Sequence, residues 1–195
     1  MKITLIGAGS FVFGGTVLVD ALARLLGLGY PGGPAIQRAA KRGNPEAYAL
    51  PRALNVGPYD FSFSGLKTAV LRLVQELQSE QGLEVQAHGQ SLADAAVDPD
   101  EVALPIADIA ASFQAALVDA LVTKTVEAAE NLQAAEVLVA GGVAANQLLR
   151  QELVARSPKP VRFPQIRHCT DNAAMIGAAA YYRFLDGRRS GLDLD

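Results

Sequence analysis

The residues of this 195-residue chain that could do chemistry sit in a few glycine-rich or polar turns. In VLVAGGVAAN, residues 137–146, an apolar segment runs into Gly141 and Gly142 and ends on Asn146. Two glycines where a strand meets a helix serve either a tight turn that needs their backbone freedom or a ligand lying against bare backbone. The carboxamide of Asn146 brings a donor and an acceptor to the same place. GYPGGP holds Gly32 and Gly33, and its backbone suits either a plain loop or the close approach of a phosphate or sugar. In CTDNAAM, Asp171 stands at a predicted helix start, where its carboxylate acts as an N-cap or as a hard oxygen ligand.

Other motifs carry less. GAGSFVFGG places Gly7 and Gly9 between a predicted strand and a helix, as in dinucleotide-binding turns, but Val12 stands where the third glycine belongs. Beyond Asp20 the next carboxylate is Glu46, so the ribose-binding acid is also missing. SGLK lacks the spacing of a phosphate-binding loop, which leaves Lys67 as a solvated lysine on a helix's first turn. The two histidines, His88 and His168, form no H-x-x-x-H pair, so they make no metal site of their own. His168 and Cys169 are adjacent in sequence and rarely placed to face each other, which argues against a Cys-His dyad.

Hydrophobic periodicity supplies the elements that must position these turns. KITLIGAG reads as a buried strand ending in a glycine turn, followed by a helix over about 16–26. Pro34 suits the first turn of a second helix reaching about Arg42. DFSFSG alternates like a brief strand; after it Leu66, Ala69, Val70, Leu73 and Leu77 mark one face of an amphipathic helix. Residues 78–101 lack a sustained period and read as a mobile connection. The longest predicted helix spans 105–132, with Ile106, Ile109, Ala110, Phe113, Leu117, Leu121 and Val122 on one side. EVLVAGG follows as a buried strand, AANQLLRQELVAR as a helix and VRFP as a short strand. The last helix begins after Thr170, Asp171 and Asn172, all capable caps.

Half the residues are hydrophobic and the net charge is −3, enough apolar material for a core and too little positive charge for a broad nucleic-acid face. The lone Cys169 excludes an internal disulfide and a cysteine zinc cluster and suits a reducing compartment. The opening has the apolar run and Ala-Leu-Ala of a cleavable leader, but Gly7, Gly9, Gly14 and Gly15 interrupt it and make it a poor membrane helix.

In order along the chain, ARLLGLGYPGGPAI, NPEAYALPR, DFSFSGLKTAVL, DIAASFQAALVDALVTKT, VLVAGGVAANQLLR and CTDNAAMIGAAAYYR together resemble the tRNA N6-adenosine threonylcarbamoyltransferase family, formerly described as O-sialoglycoprotein endopeptidases or glycoproteases. The resemblance covers about residues 20–195. It implies an α/β, actin-like and Hsp70-like ATPase fold, present in part as mainly the C-terminal lobe, helix-rich with a short mixed sheet. The implied activity is transfer of threonylcarbamoyl from threonylcarbamoyl-AMP to the tRNA adenosine beside the anticodon, in the cytoplasm.

The same resemblance implies that Asp20, Gly33 and Asn146 contact the nucleotide-bearing substrate, with Gly141 and Gly142 letting backbone approach the adenosine. It implies that Asp171 is a carboxylate ligand of one divalent metal, iron or zinc, and that tRNA and the proteins of the modification complex, including an inactive paralogue, are partners. No membrane partner is implied, and no general base can be named. The chain resembles about the second half of the family, without the first lobe's H-x-x-x-H ligands and phosphate-binding glycines, and Gln37 stands where many members have an aspartate. Residues 1–19 instead resemble the opening of NAD- and metal-dependent glycoside hydrolases. Two other expectations therefore stand beside a transferase of low activity alone: a non-catalytic scaffold of the same complex, and an NAD-dependent oxidoreductase or glycosidase fragment.

Overall fold

A computed structural model describes residues 3–6, 10–52, 54, 57, 59–80, 104–170, 172–189 and 191. Strand β1 (Ile3–Ile6) leads to helices α1 (Ser10–Leu25), α2 (Gly32–Ala40), α3 (Ser64–Glu80) and α4 (Ile106–Asn131). Strand β2 (Glu136–Val139), a 3-10 turn (Gly142–Ala145) and α5 (Gln147–Arg156) follow. The chain then forms β3 (Val161–Arg162), a second 3-10 turn (Ile166–His168) and α6 (Ala173–Leu185). The sheet has the order β1-β2-β3, with Leu5 opposite Leu138 and Val137 opposite Val161. Both pairings are parallel, so the expected mixed sheet is corrected to a parallel one. Each strand is separated from the next by a helix, which is how parallel neighbours are reached.

Helix α4 is the centre. Ile109, Phe113 and Val122 are fully buried on the face read from the periodicity, each contributing about 1.5–3 kcal/mol. Ala111, Ala116 and Ala120 are buried as well, so small residues let α2 and α5 pack against α4. By length and composition α4 could cross a bilayer, but most of its apolar stretch lies inside the fold. Helix α3 adds Leu66, Val70 and Val74 to the core, with Ala69, Leu73 and Leu77 partly buried beside them. Asp119 of α4 ties in α5 and the segment between α2 and α3 through Arg156 and Arg52, each at 2.6 Å. These exposed pairs are worth only about 0.2–1 kcal/mol each. Burial, then the charges of Asp108 and Glu80, raise the Tyr48 phenol above its ordinary pKa.

Helix ends follow local chemistry. Gly27 at φ +68° ends α1, with Leu28 N–H donating to Ala23 O and Gly27 N–H to Arg24 O, the paired bonds of a left-handed C-terminal cap. The same bonds end α4, but there Gln133 adopts the left-handed conformation, φ +48°. A side chain pays for that geometry where glycine does not. Gln133→Gly is therefore expected to raise stability by about 0.5–1 kcal/mol, read as a higher urea midpoint with unchanged slope; no gain would contradict the cap assignment.

Two expectations change. DFSFSG forms no strand: residues 60–63 have no regular structure and α3 begins at Ser64. Its alternation arises because Phe61 and Phe63 pack against the core. Lys124, only 2% exposed, reaches across from α4 and donates to the carbonyls of Gly57 at 2.6 Å and Asp60 at 2.5 Å, in place of a neighbouring strand. AANQLLRQELVAR divides into the 3-10 turn and α5, the break falling at Asn146. The last helix forms where expected and is capped by Asn172, whose Oδ1 accepts from Met175 N–H at 3.0 Å, yet none of its residues is buried. The connection expected to be mobile lies mostly outside the described residues, although α3 continues through Glu80.

Candidate nucleotide-facing edge

The start of α2 is built from Asp20 and the glycine pair. Asp20, on α1, accepts from Gly32 N–H through Oδ1 at 2.8 Å. A Cβ on Gly32 would lie 2.6 Å from that oxygen and 2.7 Å from Asp20 Cα, so this glycine is required by the α1–α2 contact. Pro34 has no N–H, and Ala35 N–H bonds Pro31 O. Gly33 N–H is thus the donor of this helix start with no partner among the described residues. A Cβ there would meet nothing within 4 Å.

The charge at this corner has a consequence. A carboxylate at a helix N-terminus complements the macrodipole and repels a second anion. Asp20 keeps Oδ2 as an acceptor, and Gly33, the neighbour of the Gly32 it binds, has a free N–H, two groups suited to hydroxyls, which both donate and accept. A sugar hydroxyl fits this corner better than a phosphate does.

The second part of the edge lies between β2 and α5. Gly141 has φ +86°, which explains it as a turn residue. Gly142 is not in the left-handed region, and a Cβ on it would meet nothing within 4 Å. Neither strain nor crowding accounts for its missing side chain. Asn146 Oδ1 accepts from Leu149 N–H at 3.0 Å, capping α5, while Nδ2 donates to Gln114 Oε1 at 3.0 Å. The pairing of donor and acceptor expected at Asn146 is therefore reduced, because the oxygen is engaged by the helix. Gln37 Oε1 accepts from Gln147 N–H at 2.8 Å, so two of the first three amides of α5 already have partners.

These bonds bring the two parts together. Gly33 and Gln37, four residues apart, share a face of α2, and Gln37 joins that face to residue 147, next to Asn146. The 3-10 turn carrying Gly142 packs against α1, the helix of Asp20. Arg150 holds the turn from behind: it donates to Ala144 O at 2.5 Å and Pro164 O at 2.8 Å, and its guanidinium lies 4.9 Å from the Phe163 ring centre. The same guanidinium donates to the buried Cys169 sulfur at 3.3 Å. Gln114 and Arg150 were missed from sequence. Gln114 stood only as a polar interruption in the apolar run SFQAALV, and Arg150 as an ordinary helix arginine.

Asp171, Gly7, Gly9 and His88 lie outside the described residues. Among the described residues no three His, Cys, Asp or Glu side chains come together as metal ligands. His168 is exposed and accepts from Arg167 at 3.3 Å. Lys67 is exposed on the first turn of α3, as expected.

A model of the family described as tRNA N6-adenosine threonylcarbamoyltransferase matches residues 5–178. The chain is 52% identical over 196 residues to the tRNA N6-adenosine threonylcarbamoyltransferase of Thermomicrobium roseum (strain ATCC 27502 / DSM 5159 / P-2), covering 97% of this chain and 53% of that protein. It is 47% identical to the one from Dehalococcoides mccartyi (strain ATCC BAA-2100 / JCM 16839 / KCTC 5957 / BAV1), covering 90% and 46%. It is 51% identical to the one from Synechococcus sp. (strain JA-3-3Ab), covering 90% and 43%. The chain spans about half the length of these curated relatives. The motif series, the helix-rich fold on a parallel sheet and a match reaching from residue 5 to residue 178 agree: the chain belongs to the tRNA N6-adenosine threonylcarbamoyltransferase family.

Proposed function

We propose that this chain serves the transfer of threonylcarbamoyl from threonylcarbamoyl-AMP to the tRNA adenosine beside the anticodon, and that its own part is to hold the adenosine nucleotide. The observation that carries this reading is the pair Gly33 and Gly142: open space stands where each side chain would be, beside a free amide, a carboxylate and Asn146. Asp20 and Gly33 would take the ribose hydroxyls, Gly141 and Gly142 would admit the base against backbone, and Asn146 would donate one N–H.

The metal expected of the family, iron or zinc, would supply Lewis-acid polarisation of the transferring carbonyl, with Asp171 as one ligand. Among the described residues no other donors gather as a ligand set, and no step is assigned through it. Helix α6 supports a need for further polypeptide, because Met175, Ile176, Tyr181, Tyr182, Phe184 and Leu185 are all exposed. At this spacing they stand on every side of the helix, and an exposed apolar area of this kind marks an interaction surface. It also favours the second reading, a scaffold within the modification complex in the cytoplasm.

Gly33→Ala and Gly142→Ala are expected to leave the melting temperature unchanged and to weaken AMP binding about tenfold each, as a methyl group fills ligand space. Loss of stability without loss of binding would make both glycines structural. In a transfer assay with tRNA and threonylcarbamoyl-AMP, the chain alone should form little or no threonylcarbamoyladenosine; robust formation would overturn the proposed division of the site.

A further inference from the structure

We infer that Gln114, a residue of the central helix α4, is a positioning residue that holds the Asn146 carboxamide so that it presents a single N–H to the ligand. The orientation of both carboxamides follows from one fixed donor. Leu149 N–H can only donate, so the oxygen of Asn146 faces α5. Its Nδ2 then faces Gln114, which must offer Oε1. One hydrogen of Nδ2 is held by this bond and the other is left for a ligand.

Gln37 repeats the pattern on α2: its oxygen is held by Gln147 N–H, and its amino group has no partner among the described residues. The amino group of Gln114 has none either. The edge thus offers donors from Gln37 and Asn146, which suit acceptor atoms of a ligand such as ring nitrogens or sugar oxygens. Gln114 acts through Asn146: with its oxygen removed, the Asn146 amide plane is held at one end only and must be ordered when the ligand binds. This inference rests on the reading of the edge as the adenosine site.

The test compares Gln114→Leu and Gln114→Glu in the full chain. Two readouts are followed: the side-chain 15N–1H resonances of Asn146, and the affinity for adenosine, a probe without phosphate charge. Gln114→Leu is expected to speed exchange of the held Asn146 proton and to weaken adenosine about tenfold, the scale of immobilising one side chain on binding. Gln114→Glu keeps the acceptor and should restore both to near wild type. Wild-type affinity in Gln114→Leu, with the Asn146 resonances altered, would overturn the positioning role. Equal loss in both variants would overturn it too, making the Gln114 amino group a direct contact. If the wild-type chain shows the held proton but binds no adenosine, the site reading itself fails, and the role of Gln114 falls with it.

Discussion

Asn146→Asp is expected to fold as stably as the wild-type chain and to bind AMP about thirtyfold more weakly, or worse. Aspartate and asparagine are equivalent helix caps, so the bond from Leu149 N–H to the side-chain oxygen survives. Gln114 can turn its amino group toward the new carboxylate, which keeps that contact satisfied. What disappears is the N–H offered to the ligand. A lost hydrogen bond at a partly buried site is worth roughly 2 kcal/mol, which sets the thirtyfold figure, and repulsion of the AMP phosphate adds to it. Asn146→Ala is less informative, because removing the cap also destabilises α5 by about 1 kcal/mol. Calorimetric titration and thermal melting of Asn146→Asp separate the two roles: unchanged binding would leave Asn146 as a cap alone.

Lys124→Met is expected to lower stability by about 2–4 kcal/mol. Replacing a buried ionic group with a hydrophobe of similar length is neutral or favourable when the whole polar set is removed. Here only the donor is removed. The carbonyls of Gly57, half-buried, and Asp60, on an exposed residue, remain, and each part-buried acceptor left without this donor costs an amount toward the lower end of about 1–3 kcal/mol. The Phe61 ring also loses a cation at 5.9 Å. Lys67→Met, at an exposed position on α3, should change stability by less than about 0.5 kcal/mol. Urea unfolding of the two variants compares them directly, and a Lys124→Met protein as stable as wild type would contradict the anchoring role.

Lys124 also marks where sequence reading stops. The periodicity of α3 and α4 and the apolar run of β2 were legible because burial acts on residues close together in the chain. DFSFSG was misread because the donor that satisfies its backbone lies 64 residues away from Asp60, and no local pattern announces it. The same limit applies at the site. Gly141, Gly142, Gly33 and Asp20 stood out by type and by family resemblance, but the tasks that divide them did not. Gly141 serves the turn, Gly32 the helix contact, and Gly33 and Gly142 face open space. Asn146 was legible as polar, whereas the engagement of its oxygen by α5 depends on where that helix begins. In α6 the sequence showed an apolar helix correctly, and the structure adds that no side of it is buried among the described residues.

The most direct test of the central claim is calorimetric titration of the chain with AMP, with NAD as the competing ligand. The account predicts one saturable AMP site per chain, weakened by Gly142→Ala and Asn146→Asp, with no comparable NAD binding. Absence of AMP binding, or NAD binding abolished by Gly9→Ala, would contradict it.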